Sequence, residues 1–307
     1  MISRIANHAR IVLLAASVCA TAIAAAQTIP PQNPPSPIEL VRTTVATEVA
    51  AANDHSVKHI FRDDKKTPQG SQTRIYVETN QAMAGLTVAY NDKPLSGEQL
   101  QNEEGRLAGL VGNAEQLSRK ERQEQEEANR TLSIVKALPD AFLFEFDGTE
   151  PGTATLGREG SQLVRLKFRP NPSYRPPSHV EDVLVGMAGF LLLDPAAHRI
   201  ARIDGTLFRE VSFGWGILGH LNKGGHFFVE QEDLGDGSWD VSSMRLDFAG
   251  KILLFKNIAI KSDEVFSNFR RVPPGTTFAQ GVEMLKSEQA KLAQGGAETT
   301  RAENRSH

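Results

Sequence analysis

Five glycines and two histidines crowd into residues 213–233, FGWGILGHLNKGGHFFVEQED, and three chemistries could use them. Gly214-Trp215-Gly216-Ile217-Leu218-Gly219 spells G-x-G-x-x-G, the turn that cradles a dinucleotide's pyrophosphate. That use needs a strand before the glycines, a helix opening within them and a parallel unit around both. TLFREVSF supplies the strand, but Gly224-Gly225 would end any helix within two turns. His220 and His226, with Glu232, Asp233 and Asp236 nearby, raise the question of a metal. Zinc asks for three or four converging ligands, usually with a tight i, i+2 or i, i+4 pair, and neither spacing occurs. LGDGSWD lacks the alternating oxygen ligands of a calcium loop. His55, His59, His179 and His198 are scattered singly. The third use is structural: glycines set between Phe213, Trp215 and Phe227 suit a strongly bent strand and turn. The segment reads as the place where a sheet bends, with no cofactor and no metal.

Other chemistry is equally sparse. No G-x-S-x-G is present, and Gly160-Ser161 sits in an ordinary loop. Glu145, Asp147, Glu230 and Glu232 could supply paired carboxylates, but nothing selects a pair, so a hydrolase of an envelope polymer is the weakest reading. The single cysteine, Cys19, lies in the leader, which leaves the rest of the chain without a thiol for catalysis or a disulfide. The chain is expected to be non-catalytic.

The leader itself sets the compartment. Arg4 and Arg10 form a basic start, IVLLAASVCATAIAAA is apolar or small throughout, and Ala24-Ala25-Ala26 makes an A-x-A site before Gln27. Residues 1–26 therefore read as a signal peptide, too short in its apolar run to span a bilayer, and the expected location is the periplasm. Losing Arg4 and Arg10 takes the net charge from −3 to −5. No basic stripe marks a nucleic-acid partner, and no later apolar run is long enough to cross a membrane.

The elements that must carry any site follow. Residues 27–37 are a proline-rich linker, and PIELVRTTVATEVAAAND spaces Ile38, Val41, Val45 and Val49 for a helix ended by Asn53-Asp54. HSVKHIFR and TRIYVET alternate as strands around a loop, DDKKTPQGSQ. Ser96 opens a polar helical insertion over 96–137, broken near Gly112-Asn113, whose charged run SRKERQEQEEANR is a solvated face. From Asp140 strands recur every 8 to 12 residues with turns at Asp194-Pro195, Asp204-Gly205, Gly235-Asp236-Gly237 and Ala249-Gly250. Without crossover helices these form an antiparallel meander, and helices segregated from strands give an α+β layout. Residues 274–307 are expected to hold a short helix and a disordered tail. The strands carry a heavy apolar load, so the meander must be capped by helices or by an apolar ligand.

The order of these elements resembles a known family. VKHIFRDDKKTPQGSQTRIYVETN as a first hairpin, then GFLLLDPAAHRIARIDGTLFREVSF and KNIAIKSDEVFSNFRRV, is similar to the LolA-like periplasmic proteins of outer-membrane lipoprotein sorting. The likeness covers residues 37 to 273, and the corresponding domain is placed at 38–273. It implies an incomplete antiparallel β-barrel, a half-barrel meander, with helices covering the concave side and acyl chains held there without catalysis. The implied partners are a lipid or the acyl chains of a lipoprotein. Phe142, Phe144, Phe190, Leu192, Phe213, Trp215, Phe227 and Phe255 are the candidates to line such a cavity or its packed equivalent. The alternative is an envelope protein-interaction or sensor module of the same fold that holds no lipid.

Overall fold

Local chemistry starts each helix. In the computed structural model, which describes residues 35–213, 219–252 and 256–303, Ser36 caps helix α1 (Pro37–Ala52) and Glu39 reaches back to the Ser36 amide at 2.8 Å. This reciprocal capping box and a proline in the first turn fix the helix start. Ser96 and Gln99 repeat the device at α2 (Gly97–Gly112), and Asn113 caps α3 (Ala114–Ala141) through the Gln116 amide. Pairs such as Arg119–Glu115 and Arg130–Glu126 line the exposed side of α3, as expected of a solvated face. A 3-10 helix spans Glu181–Gly186 and α4 spans Phe278–Glu303.

The strands are β1 (His59–Thr67), β2 (Gly70–Val77), β3 (Ala84–Tyr90), β4 (Lys93–Pro94), β5 (Phe142–Pro151), β6 (Gln162–Pro170), β7 (Met187–Asp194) and β8 (Arg199–Leu207). After them come β9 (Val211–Phe213), β10 (Gly219–Leu221), β11 (His226–Asp233), β12 (Trp239–Ile252) and β13 (Lys256–Arg271). Eleven of them run antiparallel in the order β4-β3-β2-β1-β13-β12-β11-β8-β7-β6-β5, and the β9–β10 hairpin attaches through β12. The sheet is open, ending in β4 and β5. This is an α+β fold built on one unclosed antiparallel sheet.

Three stretches differ from the sequence reading. DDKK extends β1, and the hairpin turn is only Pro68-Gln69 between Thr67 and Gly70. The charges are tolerated because they find partners along and across the ladder: Asp64 pairs with Arg62 two residues back on β1 at 2.6 Å and accepts from Thr73 of β2 at 2.6 Å, and Lys65 pairs with Glu264 of β13 at 2.8 Å. Asp204-Gly205 lies inside β8 and Ala249-Gly250 inside β12, so neither is a turn. Glycine is needed at 250 because a Cβ there would collide with the His220 carbonyl oxygen of β10.

Register decides what each face carries. From Ile60, Ile75 and Leu86 the ladder places Val265, Arg245, Phe228, Asp204 and Phe190 on one face, which we term the α4 face. Leu107 of α2 and Phe278, Val282 and Leu285 of α4 pack there against β1–β3. The opposite, α1 face carries Leu166, Leu191, Ile203, Phe227 and Phe248, packed with Leu40, Val41 and Val45 of α1 and Leu138 of α3. Helical cover is thus divided between the two faces at opposite ends of the sheet. Helix α3, about 42 Å long at 1.5 Å per residue, connects the two layers. Its Leu117 packs on the α4-face cluster and its Ile134, Val135 and Leu138 on the α1-face cluster.

Candidate functional site

The five candidates whose side chains are described do not gather in one place. Phe142 is buried and Phe144 half-buried on the α1 face, where their rings meet edge to face at 6.3 Å, and Phe227 packs on the same core. Phe190 and Leu192 project from the other face of β7, because their positions alternate with Leu191 and Leu193. Arg165 lies over the Phe190 ring at 4.0 Å, while Leu192 packs with Leu163 and Ala201. Phe213 ends β9; Trp215 and Phe255 fall outside the described residues.

The glycine-rich segment is also partly outside them, at 214–218. Its flanks, β9 and β10, pair antiparallel with Gly219 opposite Phe213, which is not the parallel unit a dinucleotide fold requires. His226 bonds Asp204 at 2.8 Å and His220 lies 3.9 Å from Glu210, so the two histidines serve separate partners. Among the described residues no three His, Asp or Glu side chains converge as a metal site.

What the fold does assemble is a sheltered row across the α1 face. Register sets Glu264, Met244, Val229, Ile203 and Leu191 side by side on β13, β12, β11, β8 and β7. On β13, Ser262 and Glu264 are buried while Lys261, Asp263 and Val265 on the other face are exposed; on β12, Met244, Leu246 and Phe248 are half-buried while Arg245, Asp247 and Ala249 are exposed. The main helical packing of this face lies farther along, on β5 and β8. The central strands therefore shelter their α1 face largely through their own neighbours, leaving an apolar row that leads into the helix-covered core.

Acidic groups stand at the far end of that row. Asp63 and Glu264 are both buried, at 5% and 7% exposure. Burial, reinforced by the Glu264 charge, pushes the Asp63 carboxyl up to about 6, against the pull of Lys65 and Arg74. Four aromatic rings adjoin them: Phe61 lies 5.5 Å from Tyr76, 6.2 Å from Phe266 and 5.4 Å from Phe269.

Comparison with known proteins adds little to this geometry. No protein-family model matches the chain, and no curated protein matches it. Among solved structures, one similar chain is a domain from Vibrio parahaemolyticus named for outer membrane lipoprotein sorting: 13% identity, 75% of this chain and 91% of that one, TM-score 0.25. Another is a DUF1329 family protein from Desulfovibrio piger ATCC 29098: 9% identity, 76% of this chain and 91% of that one, TM-score 0.24. Neither assigns a family.

A polar cluster occupies the sheet end where β1, β2, β13 and the β11–β12 turn meet. Buried His59 donates its backbone N–H to Glu78 at 2.7 Å, and its Nε2 lies 3.0 Å from Asp236. Arg271 donates to the same carboxylate at 2.7 Å. Burial acts to raise Asp236, but hydrogen bonds from Ser238, Arg271 and His59 together hold it below the usual carboxylate range. Burial raises Glu78 and Asp240 beside it. Ser238 Oγ donates to Asp236 at 2.5 Å and stands 3.5 Å from His59, so its proton is committed to a carboxylate and not to the imidazole. The cluster clamps three strand ends together. Next to it a cleft of about 860 Å³ is lined by Ala50, Asp54, Arg158, Arg199, Asp233 and Trp239, a mixed polar surface whose arginines are already paired.

The sequence reading passed over Asp63, Glu264 and the Met244–Val229 row. The signal available was strand alternation: carrying HIFR two residues further puts Asp63 on the face of Phe61.

Proposed function

We propose that this chain is an exported periplasmic protein, without catalytic activity, that binds the acyl chains of a lipid or lipidated partner along the sheltered α1 face. The supporting observation is the register row Met244–Val229–Ile203–Leu191, apolar over its length, continuous with the helix-covered core and ended by Glu264 on β13. Burying a chain there contributes about 0.8 kcal/mol per methylene before the costs of binding. Phe144 and Phe227 border the row, whereas Phe142 belongs to the core beneath it. Residues 38–273 form the binding unit, with the 96–137 helices as an addition to it. No described helix is long and apolar enough to cross a membrane, which suits a protein that meets its lipid one molecule at a time.

Native mass spectrometry of residues 27–307, purified from a periplasmic fraction without detergent, tests this reading. The expected result is a co-purifying mass released by organic solvent and identified as an acyl-chain lipid or lipopeptide. A bare mass that stays bare when phospholipid is added overturns it and leaves the exposed helix α3 as a surface for a protein partner.

A further inference from the structure

Asp63 lies on the same face as the row, one register step from its end, opposite Phe266 of β13. The residue is 5% exposed, and its Oδ1 meets no hydrogen-bond donor among the described residues. The two cations in range lend Asp63 only their field, because their direct contacts go to other groups. Lys65 pairs with Glu264 at 2.8 Å, and Arg74, directly across on β2, donates to the Tyr76 hydroxyl at 3.1 Å. A carboxylate taken out of water without a partner is costly to the fold, so its presence calls for a charge that arrives from outside. Around it stand Phe61, two positions along β1, and Phe266, directly opposite on β13. Aromatic faces beside a carboxylate form the usual environment of an organic cation.

The geometry points to Asp63 as the anchor of a positively charged head group: the sheltered face takes a single-chain or lipid amphiphile bearing a primary ammonium. The ammonium sits between Asp63 and the rings of Phe61 and Phe266. The chain crosses Met244 and Val229 toward Ile203, four strand spacings or about 19 Å from β1. An ammonium offers three donors to a carboxylate that has none. Glu264 adds a second negative charge on the neighbouring strand. This assignment rests on the acyl-chain reading above and narrows it to a ligand class.

The test compares dodecylammonium, dodecanol and dodecanoate, each below its micelle concentration, binding to the full mature chain at pH 7.5 by calorimetry. Dodecylammonium is expected to bind at least about tenfold more tightly than dodecanol, the value of one charge-assisted hydrogen bond. Dodecanoate is expected to bind most weakly. Asp63→Asn, which keeps the shape and removes the charge, is expected to erase the preference for the amine. A circular-dichroism melt of the variant confirms that it is folded. Equal binding of amine and alcohol, or a preference that survives Asp63→Asn, overturns the ammonium site while leaving acyl-chain binding intact. If no dodecyl compound binds, both readings fall together.

Discussion

A buried carboxyl that lacks a partner leaves a thermodynamic trace of its own. Asp63 titrates near 6 in the folded chain against an ordinary 3.8, chiefly through burial and then through Glu264. Between those values the folded state binds more protons than the unfolded state, so stability falls as pH rises from about 4 to about 6. Above that range the deficit is constant, at most about 3 kcal/mol for this one group. Asp63→Asn is therefore expected to stabilise the ligand-free protein at pH 7.5 and to change it little at pH 4, read as the shift in urea midpoint at each pH. An equal shift at both pH values would show that the Asp63 carboxyl is not the source. The residue escaped the sequence reading because a run of four charges, DDKK, looks like a loop when viewed alone. Only the partners supplied by other strands, Glu264 of β13 and Thr73 of β2 among them, make it a strand.

Elements were legible where their signals are local. The Ser96 cap, the break at Asn113 and the Asp194-Pro195 turn, whose Asp194 accepts from the Ala196 and Ala197 amides, all depend on residues within four positions. The continuation of β12 through Ala249-Gly250 was not legible, because Gly250 answers to β10, which approaches from elsewhere in the chain. How α1 docks on the sheet is likewise non-local. Glu48 of α1 accepts from Arg199 Nε at 3.0 Å and from the Ile200 amide at 2.7 Å, with both charged side chains 11% exposed. Removing one partner of a buried pair strands the other, so Glu48→Gln is expected to cost about 3 kcal/mol even though the amide oxygen still serves Ile200. The loss is expected to persist at high salt, which screens a surface pair but not a buried one. A denaturation midpoint unchanged by the substitution, or restored by salt, would mean that the pair contributes little to docking α1.

At the scale of the molecule, an open sheet that carries helices on opposite faces at its two ends leaves the middle of each face to itself. On the α4 face the middle is charged, with Arg202 bonded to Glu150 and Glu230 and Arg245 over Phe228 at 4.0 Å, so water can cover it. On the α1 face the middle is apolar and half-buried, and water covers it poorly. No single stretch of sequence could reveal this contrast, because a one-residue slip in any ladder would exchange the two faces. The contrast also says how to separate ligand binding from folding. Met244 lies in the row but outside the packed clusters, so Met244→Lys puts a charge where a chain would lie without opening a cavity in the core. Its melting temperature is expected to stay within a few degrees of wild type, since a half-buried lysine can extend its ammonium to water. Dodecanol affinity is expected to fall at least about tenfold, as the chain would have to cover a charge. Lys261→Met, an apolar change on the exposed α4 face of β13, is the matched control and is expected to leave that affinity unchanged. If both substitutions weaken binding alike, the chain does not follow the α1 face; if neither does, it does not cross the central strands at all.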